Sequence, residues 1–132
     1  PHVHSNMSEI FTGLEEQTHL EVEGAIQSLK RGDSFRVDAG VAHQPFNPVD
    51  KPSRIKVAMQ PIGVFDLCLV NIHSFMSKPE SERGWFTTQL QLARYATFCD
   101  VYRSDVPVWF QKSGLFLVTP TLRALGYRTW EE

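Results

Sequence analysis

Apolar residues change their spacing at Pro61, and this change constrains the fold more than any other feature of the sequence. In residues 9–60 apolar and polar side chains alternate in short runs, so that Ile55, Val57 and Met59 share one face. Alternation of this kind is typical of an antiparallel β-sheet with one buried face. The first part of the chain is therefore predicted to form a β-sandwich or small barrel of about six or seven strands.

Turn residues divide this β-region into its predicted strands. Gly24, Gly32 and Gly40 tolerate the backbone conformations that tight turns need, and Asn47-Pro48 favours a reversal of the chain. The strands are expected within the segments EIFTGLE, THLEVEG, AIQSLKRGD, SFRVDAG, HQPFNP and SRIKVAMQP.

After this region the apolar residues recur with the spacing of an amphipathic α-helix. A second helix is predicted over Trp85 to Cys99. A third is expected to begin at Pro107, a residue favoured in the first turn, and a short last one to run from Thr121 to a Gly126 cap. The stripe of the first helix consists of Phe65, Cys68, Leu69, Ile72, Phe75 and Met76.

The composition bounds the size of the fold and excludes two classes of partner. The 132 residues, 42% of them apolar, suffice for one domain with a real core. A formal charge of -2 gives no field that would attract nucleic acid or an anionic membrane. Neither a signal peptide nor a run of about 18 apolar residues is found, so a soluble, cytoplasmic protein is expected. Pro1 is not preceded by a methionine, and the sequence leaves open what lies upstream of it.

Cys68 and Cys99 lie in apolar, helix-like contexts. Their spacing matches neither a CxxC motif nor the dense cysteine pattern of a small secreted scaffold. We therefore predict that both are reduced, buried thiols.

The segment PHVHSNMSE places His2 and His4 two positions apart, with Glu9 five positions after His4. On a strand the two imidazoles project to the same side, where they can chelate a metal. A polar break over Ser5–Ser8 would let Glu9 face the same interior as His4. The alternative is a frayed polar terminus, because residues near a chain end are commonly poorly ordered.

A second segment, GDSFRVDAGVAHQPFN, resembles the second conserved motif of the cupin superfamily. Gly32, Gly40, His43 and Asn47 occupy the places of that motif, and Asp38 replaces its proline.

The N-terminal segment is similar to the first cupin motif, which is HxH followed by a glutamate. His2, His4 and Glu9 match it, whereas Glu16 stands where a glycine is usual. The two motifs occur in the family's order and separation, which is more specific than either motif alone.

The resemblance implies a mainly-β fold, an antiparallel cupin (jelly-roll) barrel over residues 1–61. A C-terminal α-helical extension over residues 62–132 is expected to pack on this barrel. N-terminal strands of the barrel would then be missing, or a partner subunit would supply them. The tail ending in Leu125-Gly126-Tyr127 also looks like that of small single-domain cupins known only as metal-binding proteins.

The resemblance further implies a site for a divalent transition metal (Fe, Mn, Ni, Co, Zn or Cu), and the ligand types do not select among these ions. A turn through Gly40 would bring His43 onto the next strand facing inward. Three nitrogens and one carboxylate would leave one or two positions open, as in a reactive rather than a structural site. The ligands would be His2, His4, Glu9 and His43.

Other residues of the same types receive other interpretations. His19 has the opposite strand parity to Leu20 and is predicted to point to solvent. His73 is expected to be half-buried or exposed on the first helix, while Gly40 and Asn47 are expected to be structural. The residues that either line a pocket or belong to the core are Phe11, Gln44 and Phe46.

Two hypotheses for function follow from the resemblance. The first is a metal-dependent enzyme that acts on a small organic substrate by oxygenation or by Lewis-acid isomerisation or cyclisation. Glu9 would be its catalytic residue if it shuttles a proton, although a ligated carboxylate is a poorer base. The alternative is a non-catalytic metal- or ligand-binding, or storage, cupin.

Cupins commonly form dimers, and a homodimer is expected here. An apolar tail would be sufficient to bury a shared surface. The same side chains would equally serve as an intrachain core. They are Trp85, Phe86, Trp109, Phe110 and Phe116.

Overall fold

The structure is a computed structural model that describes residues 1–15 and 18–129. The chain divides into two units. Residues 1–61 together with Tyr102–Asp105 form the first, here called the β-unit, and the remaining residues form the second, the helical unit. The helical unit is therefore interrupted in sequence by a short piece of the β-unit.

Two antiparallel sheets make up the β-unit. One sheet has the strand order β4-β3-β6-β1-β8 and the other the order β5-β2-β7. Within the described residues no ladder joins the two sheets, so the predicted barrel is not closed. The strands are β1 (His2–Val3), β2 (Ser8–Gly13), β3 (Thr18–Val22), β4 (Ala25–Leu29), β5 (Ser34–Val37), β6 (His43–Phe46), β7 (Ile55–Gln60) and β8 (Tyr102–Arg103).

The strands β3 to β7 lie within the segments that the alternating pattern predicted, and β2 begins one residue before its predicted segment. Along β7 half-buried and exposed residues alternate, as the period of two requires. The hairpin between β3 and β4 turns at Glu23-Gly24, where both residues have positive φ, of 49° and 82°. Turn chemistry and alternation together thus account for these strands.

Apolar side chains from both sheets form the core of the β-unit. Phe11 comes from β2 and Val37 from β5, whereas Leu20 and Leu29 come from β3 and β4 of the other sheet. All four are buried. Burial of apolar surface between the sheets is the main force that holds the two sheets together.

In its described residues, up to 129, the helical unit contains three α-helices at the predicted places. They are α1 (Phe65–Met76), α2 (Trp85–Cys99) and α3 (Val108–Ala124), with a single 3-10 turn at Glu80–Glu82. None of the helices in the described part of the chain has the length and hydropathy of a bilayer-spanning segment.

The prediction of a separate last helix from Thr121 was wrong, because α3 continues through Pro120. Proline removes one backbone donor but permits a helix to continue at a cost. The predicted cap at Gly126 is confirmed. Gly126 has a φ of 88°, its amide donates to Arg123 O at 3.0 Å, and the amide of Tyr127 donates to Leu122 O at 3.0 Å. These bonds satisfy the last carbonyls of the helix.

The prediction of reduced cysteines was also wrong. Cys68 on α1 and Cys99 on α2 form a disulfide whose Cα atoms are 5.5 Å apart. Both cysteines are buried. A sequence separation of 31 residues carries no signature of pairing, since it depends on how two helices pack.

Candidate metal centre

Four side chains converge in the β-unit, and they are the predicted ligand set. One donor atom each from His2, His4, Glu9 and His43 lies within 4.8 Å of the others. His4, Glu9 and His43 are only 1%, 4% and 2% exposed, whereas His2 is half-buried. Glu9 belongs to one sheet and His43 to the other, so the cluster lies where the two sheets meet.

Strand pairing positions the two histidines of the five-stranded sheet. His2 on β1 is the direct antiparallel partner of His43 on β6. Residues paired in this way lie close together on the same face. The ring centroids of His2 and His43 are accordingly 4.4 Å apart.

The bend after His4 carries the chain from one sheet to the other. His4 Nε2 lies 3.5 Å from Glu9 Oε2, although an odd number of residues separates the two. The irregular backbone at residues 5–7 resets the strand alternation, as the polar break predicted.

The Gly40 turn connects the two motif segments directly. Gly40 has a φ of 87°, and its amide donates to the carbonyl of His4 at 2.8 Å. Positive φ is readily accessible to glycine and costly for other residues. The prediction that Gly40 is structural is confirmed, and the structure shows that it holds the backbone of His4.

His43 bridges its own backbone and Glu9. Its Nδ1 lies 3.0 Å from the carbonyl of Val41, which only accepts, so Nδ1 carries a proton and donates. Nε2 therefore faces the cluster, 2.5 Å from Glu9 Oε2. A backbone carbonyl on the outer ring nitrogen is the arrangement that orients a metal-binding histidine.

The surroundings shift the pKa values of His2 and His43 in opposite directions. Burial, together with neighbouring His43 and His4, lowers the pKa of His2 from 6.5 to about 4. Burial also lowers the pKa of His43, but the hydrogen bonds to Glu9 and Val41 outweigh it and raise that pKa above its ordinary value. At neutral pH His2 thus offers a free lone pair, whereas the contact with Glu9 favours the protonated form of His43.

This donor set fits a divalent transition metal. Imidazole nitrogens and a carboxylate oxygen suit Fe, Mn, Ni, Co, Zn and Cu. Two ligands that are each about 2.1 Å from one ion are at most about 4.2 Å apart. The donor atoms, within 4.8 Å of one another, are close to that limit before any adjustment.

Comparison with known proteins agrees with this geometry. A family model described as the cupin domain matches residues 1–59. Residues 1–59 are a cupin domain. All four clustered residues fall inside the matched range. No curated protein and no solved structure was found to match the chain.

The other residues singled out in the sequence lie outside the cluster of His2, His4, Glu9 and His43. His19 is half-buried rather than solvated, because its ring packs 5.6 Å from that of Phe46. His73 is exposed on α1, as predicted. Asn47 is structural, since its side chain donates to Lys51 O at 2.7 Å and accepts from the Val49 amide at 3.3 Å.

Phe11 and Gln44, which were predicted either to line a pocket or to belong to the core, differ in burial. Phe11 is a core residue whose ring lies 5.7 Å from that of His43, so it forms the apolar floor beneath that imidazole. Gln44 is exposed. Glu16, the departure from the first cupin motif, lies outside the described residues.

Sequence reasoning missed one element that supports the cluster. The strand β8 pairs with β1, with Val3 opposite Tyr102 and His2 opposite Arg103. Tyr102 is buried. Because β8 is two residues long and follows a helix, no periodicity could have revealed it. The sheet that holds His2 and His43 therefore includes a strand that lies beyond the matched range.

Proposed function

We propose that this cupin domain is a metal-dependent enzyme acting on a small organic substrate, by oxygenation or by Lewis-acid isomerisation or cyclisation. One observation carries the proposal: three imidazoles and one carboxylate converge at the meeting of two sheets. A bound divalent transition metal (Fe, Mn, Ni, Co, Zn or Cu) would polarise a carbonyl or enolate oxygen, or activate dioxygen if it is redox-active. A four-residue set leaves positions open for such oxygens.

Residues of the chain itself would bind the ion and transfer one proton. His2, His4 and His43 supply neutral nitrogens, and Glu9 supplies the negative charge that offsets the ion. Without metal, one proton lies between Glu9 Oε2 and His43 Nε2, in the hydrogen bond that joins these two atoms. Glu9 would move a proton during catalysis if it is loosely bound, although its role as a ligand would weaken it as a base.

The same proposal includes the jelly-roll form of the fold. Glu9 and Phe11 come from the three-stranded sheet and His43 and Leu20 from the five-stranded sheet, and their side chains meet between the sheets. Two sheets that share one interior in this way support a barrel with the metal site inside it.

A non-catalytic metal- or ligand-binding cupin is the second candidate. One observation favours it: within the described residues, no histidine, cysteine or acidic residue joins the cluster beyond its four members. An enzyme that moves protons commonly has a further acid or base near its ligands. A binding protein needs none.

Metal content tests the site. Protein purified without added metal should contain about one transition-metal ion per chain by elemental analysis. His43→Ala should remove most of it, whereas the matched control His19→Ala should retain it, because His19 packs on Phe46 outside the cluster. Full occupancy in His43→Ala, or loss in His19→Ala, would show that the ligand set is wrong.

Turnover tests the choice between the two functions. Metal-loaded protein would be incubated with phenolic, diketone and polyketide-like compounds, with and without oxygen, and followed by mass spectrometry. An oxygen-dependent gain in mass supports oxygenation, and an isomeric product of unchanged mass supports Lewis-acid chemistry. Saturable binding without turnover, in fully loaded protein, supports the binding function and overturns the catalytic proposal for these compounds.

A further inference from the structure

The outward side of α3 is covered by large apolar side chains. Trp109, Phe110, Phe116 and Leu117 are 71%, 60%, 78% and 74% exposed. The opposite side of the helix carries its only buried residue, Leu122. A helix that is apolar on both sides is normally covered on both sides.

The intrachain core that the sequence left open for these aromatics is not what the structure shows. Trp85 and Phe86, at the start of α2, are 76% and 66% exposed, and the three aromatics of α3 are exposed to a similar degree. An aromatic side chain buries about 150–250 Å² when it is covered. The three aromatics of α3, exposed to about seven tenths, therefore offer about 420 Å², about half of the ~800 Å² that each partner buries in a standard interface. Leu117, which is 74% exposed, adds to this area.

The spacing on α3 suits a symmetric partner. Trp109 and Phe116 are seven residues apart, as are Phe110 and Leu117, so each pair lies two turns apart on one side of the helix. The small residues Ser113 and Gly114 lie in the turn between the two bulky pairs. A bulky-small-bulky stripe is self-complementary, because two copies cross closely at the small residues and pack their bulky residues on either side.

Neither packing nor backbone conformation within the single chain requires a glycine at position 114. A Cβ built at this position meets nothing within 4 Å, and the residue does not have positive φ. Glycine inside a helix costs about 1 kcal/mol relative to alanine. Close approach of another backbone is the physical reason that would offset this cost.

The charge pattern selects the kind of partner. None of Trp109, Phe110, Ser113, Gly114, Phe116 and Leu117 is charged. A helix that lies on an anionic membrane usually borders its apolar side with several lysines or arginines, whereas α3 contains only Lys112 and Arg123. An uncharged, self-complementary side favours another copy of itself.

We propose that this side of α3 is a dimer interface, in which α3 of one chain crosses α3 of a second copy at Ser113 and Gly114. The contact is isologous, so Trp109 and Phe110 of one copy pack near Phe116 and Leu117 of the other. The proposal is independent of the metal site.

Crosslinking tests the crossing point. The described residues contain no free cysteine, so Ser113→Cys introduces a thiol without a competitor among them. Without reductant, this variant of the full chain should form a disulfide-linked dimer at micromolar concentration. Ser28→Cys on β4, which is also exposed, is the matched control and should remain uncrosslinked. Equal crosslinking of both variants, or none with Ser113→Cys, would overturn the proposal.

Sedimentation measures the strength of the interface. Phe116→Glu removes a side chain that is 78% exposed in the single chain, so the variant should fold yet dimerise about 100-fold more weakly. Ile26→Glu, at an apolar position of β4 that is 63% exposed, should dimerise like the wild type. Gly114→Ala should also weaken dimerisation while raising helix stability. A monomeric wild type, an unchanged Phe116→Glu dimer, or a monomer that instead binds phospholipid vesicles through α3 would each overturn the proposal.

Discussion

Glu9 and His43 meet across the two sheets, with Glu9 Oε2 2.5 Å from His43 Nε2. Glu9 is fixed by β2 and His43 by β6, so neither residue reaches the other through local sequence. A metal ion that binds both atoms must replace the proton they share. Ion binding at this pair would therefore be coupled to proton release.

Gly40 and Gly24 form a matched pair for testing the role of one turn. Both have positive φ and open space around a built Cβ, so Gly40→Ala and Gly24→Ala should each cost about 1–2 kcal/mol of stability. Only Gly40 donates its amide to His4 O. Gly40→Ala should therefore also weaken metal binding by about 10–100-fold, whereas Gly24→Ala should leave it unchanged. Equal metal affinity of both variants, by competition with a chelator, would contradict this role.

Tyr102 should contribute to metal binding only through His2. Its strand pairs with β1 next to that histidine, so Tyr102→Ala should loosen β1 and weaken the binding of metal about tenfold. In a His2→Ala background the same substitution should have no further effect. Chelator competition on the four proteins of this cycle measures the coupling. Additive losses would show that Tyr102 acts on the whole β-unit instead.

The stability of the metal-free protein should fall in acid because of His2. Its pKa is lowered from 6.5 to about 4, so the unfolded chain takes up this proton before the folded chain does. Protonation therefore favours unfolding as the pH falls from about 6.5 to about 4. His2→Gln should reduce the difference in free energy of unfolding between about pH 7.5 and about pH 4.5, measured with urea.

His43 provides a control of opposite sign for that experiment. Burial lowers its pKa, but the hydrogen bonds to Glu9 and Val41 outweigh burial and raise it. The stabilisation from this proton is complete below the unfolded pKa and is lost as the pH rises through the folded pKa. His43→Gln should therefore increase the acid-induced loss of stability. The same direction of change in both variants would contradict the assignment.

The disulfide should be present and stabilising. Protein unfolded without reductant should show no free thiol from Cys68 or Cys99. Replacing both with alanine should lower the free energy of unfolding by about 3.7 kcal/mol, as expected for a loop of this length. His73→Ala on the exposed side of α1 should change it by less than about 0.5 kcal/mol. Two reactive thiols in the unfolded wild type would refute the bond.

Features of the fold that arise from local patterns were predictable from the sequence. Alternation and turn residues located strands β2 to β7, and the helical stripe located α1 from Phe65 to Met76. The residues of the site were predictable because HxH, Glu9 and His43 stand at a recognisable spacing.

Features that depend on tertiary packing were not predictable. Pairing of Cys68 with Cys99 requires two helices to pack with a particular rotation. His19 has the expected parity, but the ring of Phe46 shields it from the solvent that parity alone implies. The strand β8 exists only because β1 is beside it, and two residues carry no period of their own.

The order of strands in the five-stranded sheet has a consequence for biosynthesis. His2 pairs with Arg103, so β1 emerges from the ribosome long before the strand that completes its pairing. All of α1 and α2 must be translated in between. Until then β1 can pair only with β6, on one of its two sides. Pairing with β8 must also overcome the conformational entropy lost when so long a loop is closed. If the cluster binds an ion, its full loading would therefore wait for the late stages of translation, when β8 can hold β1 and His2 in place.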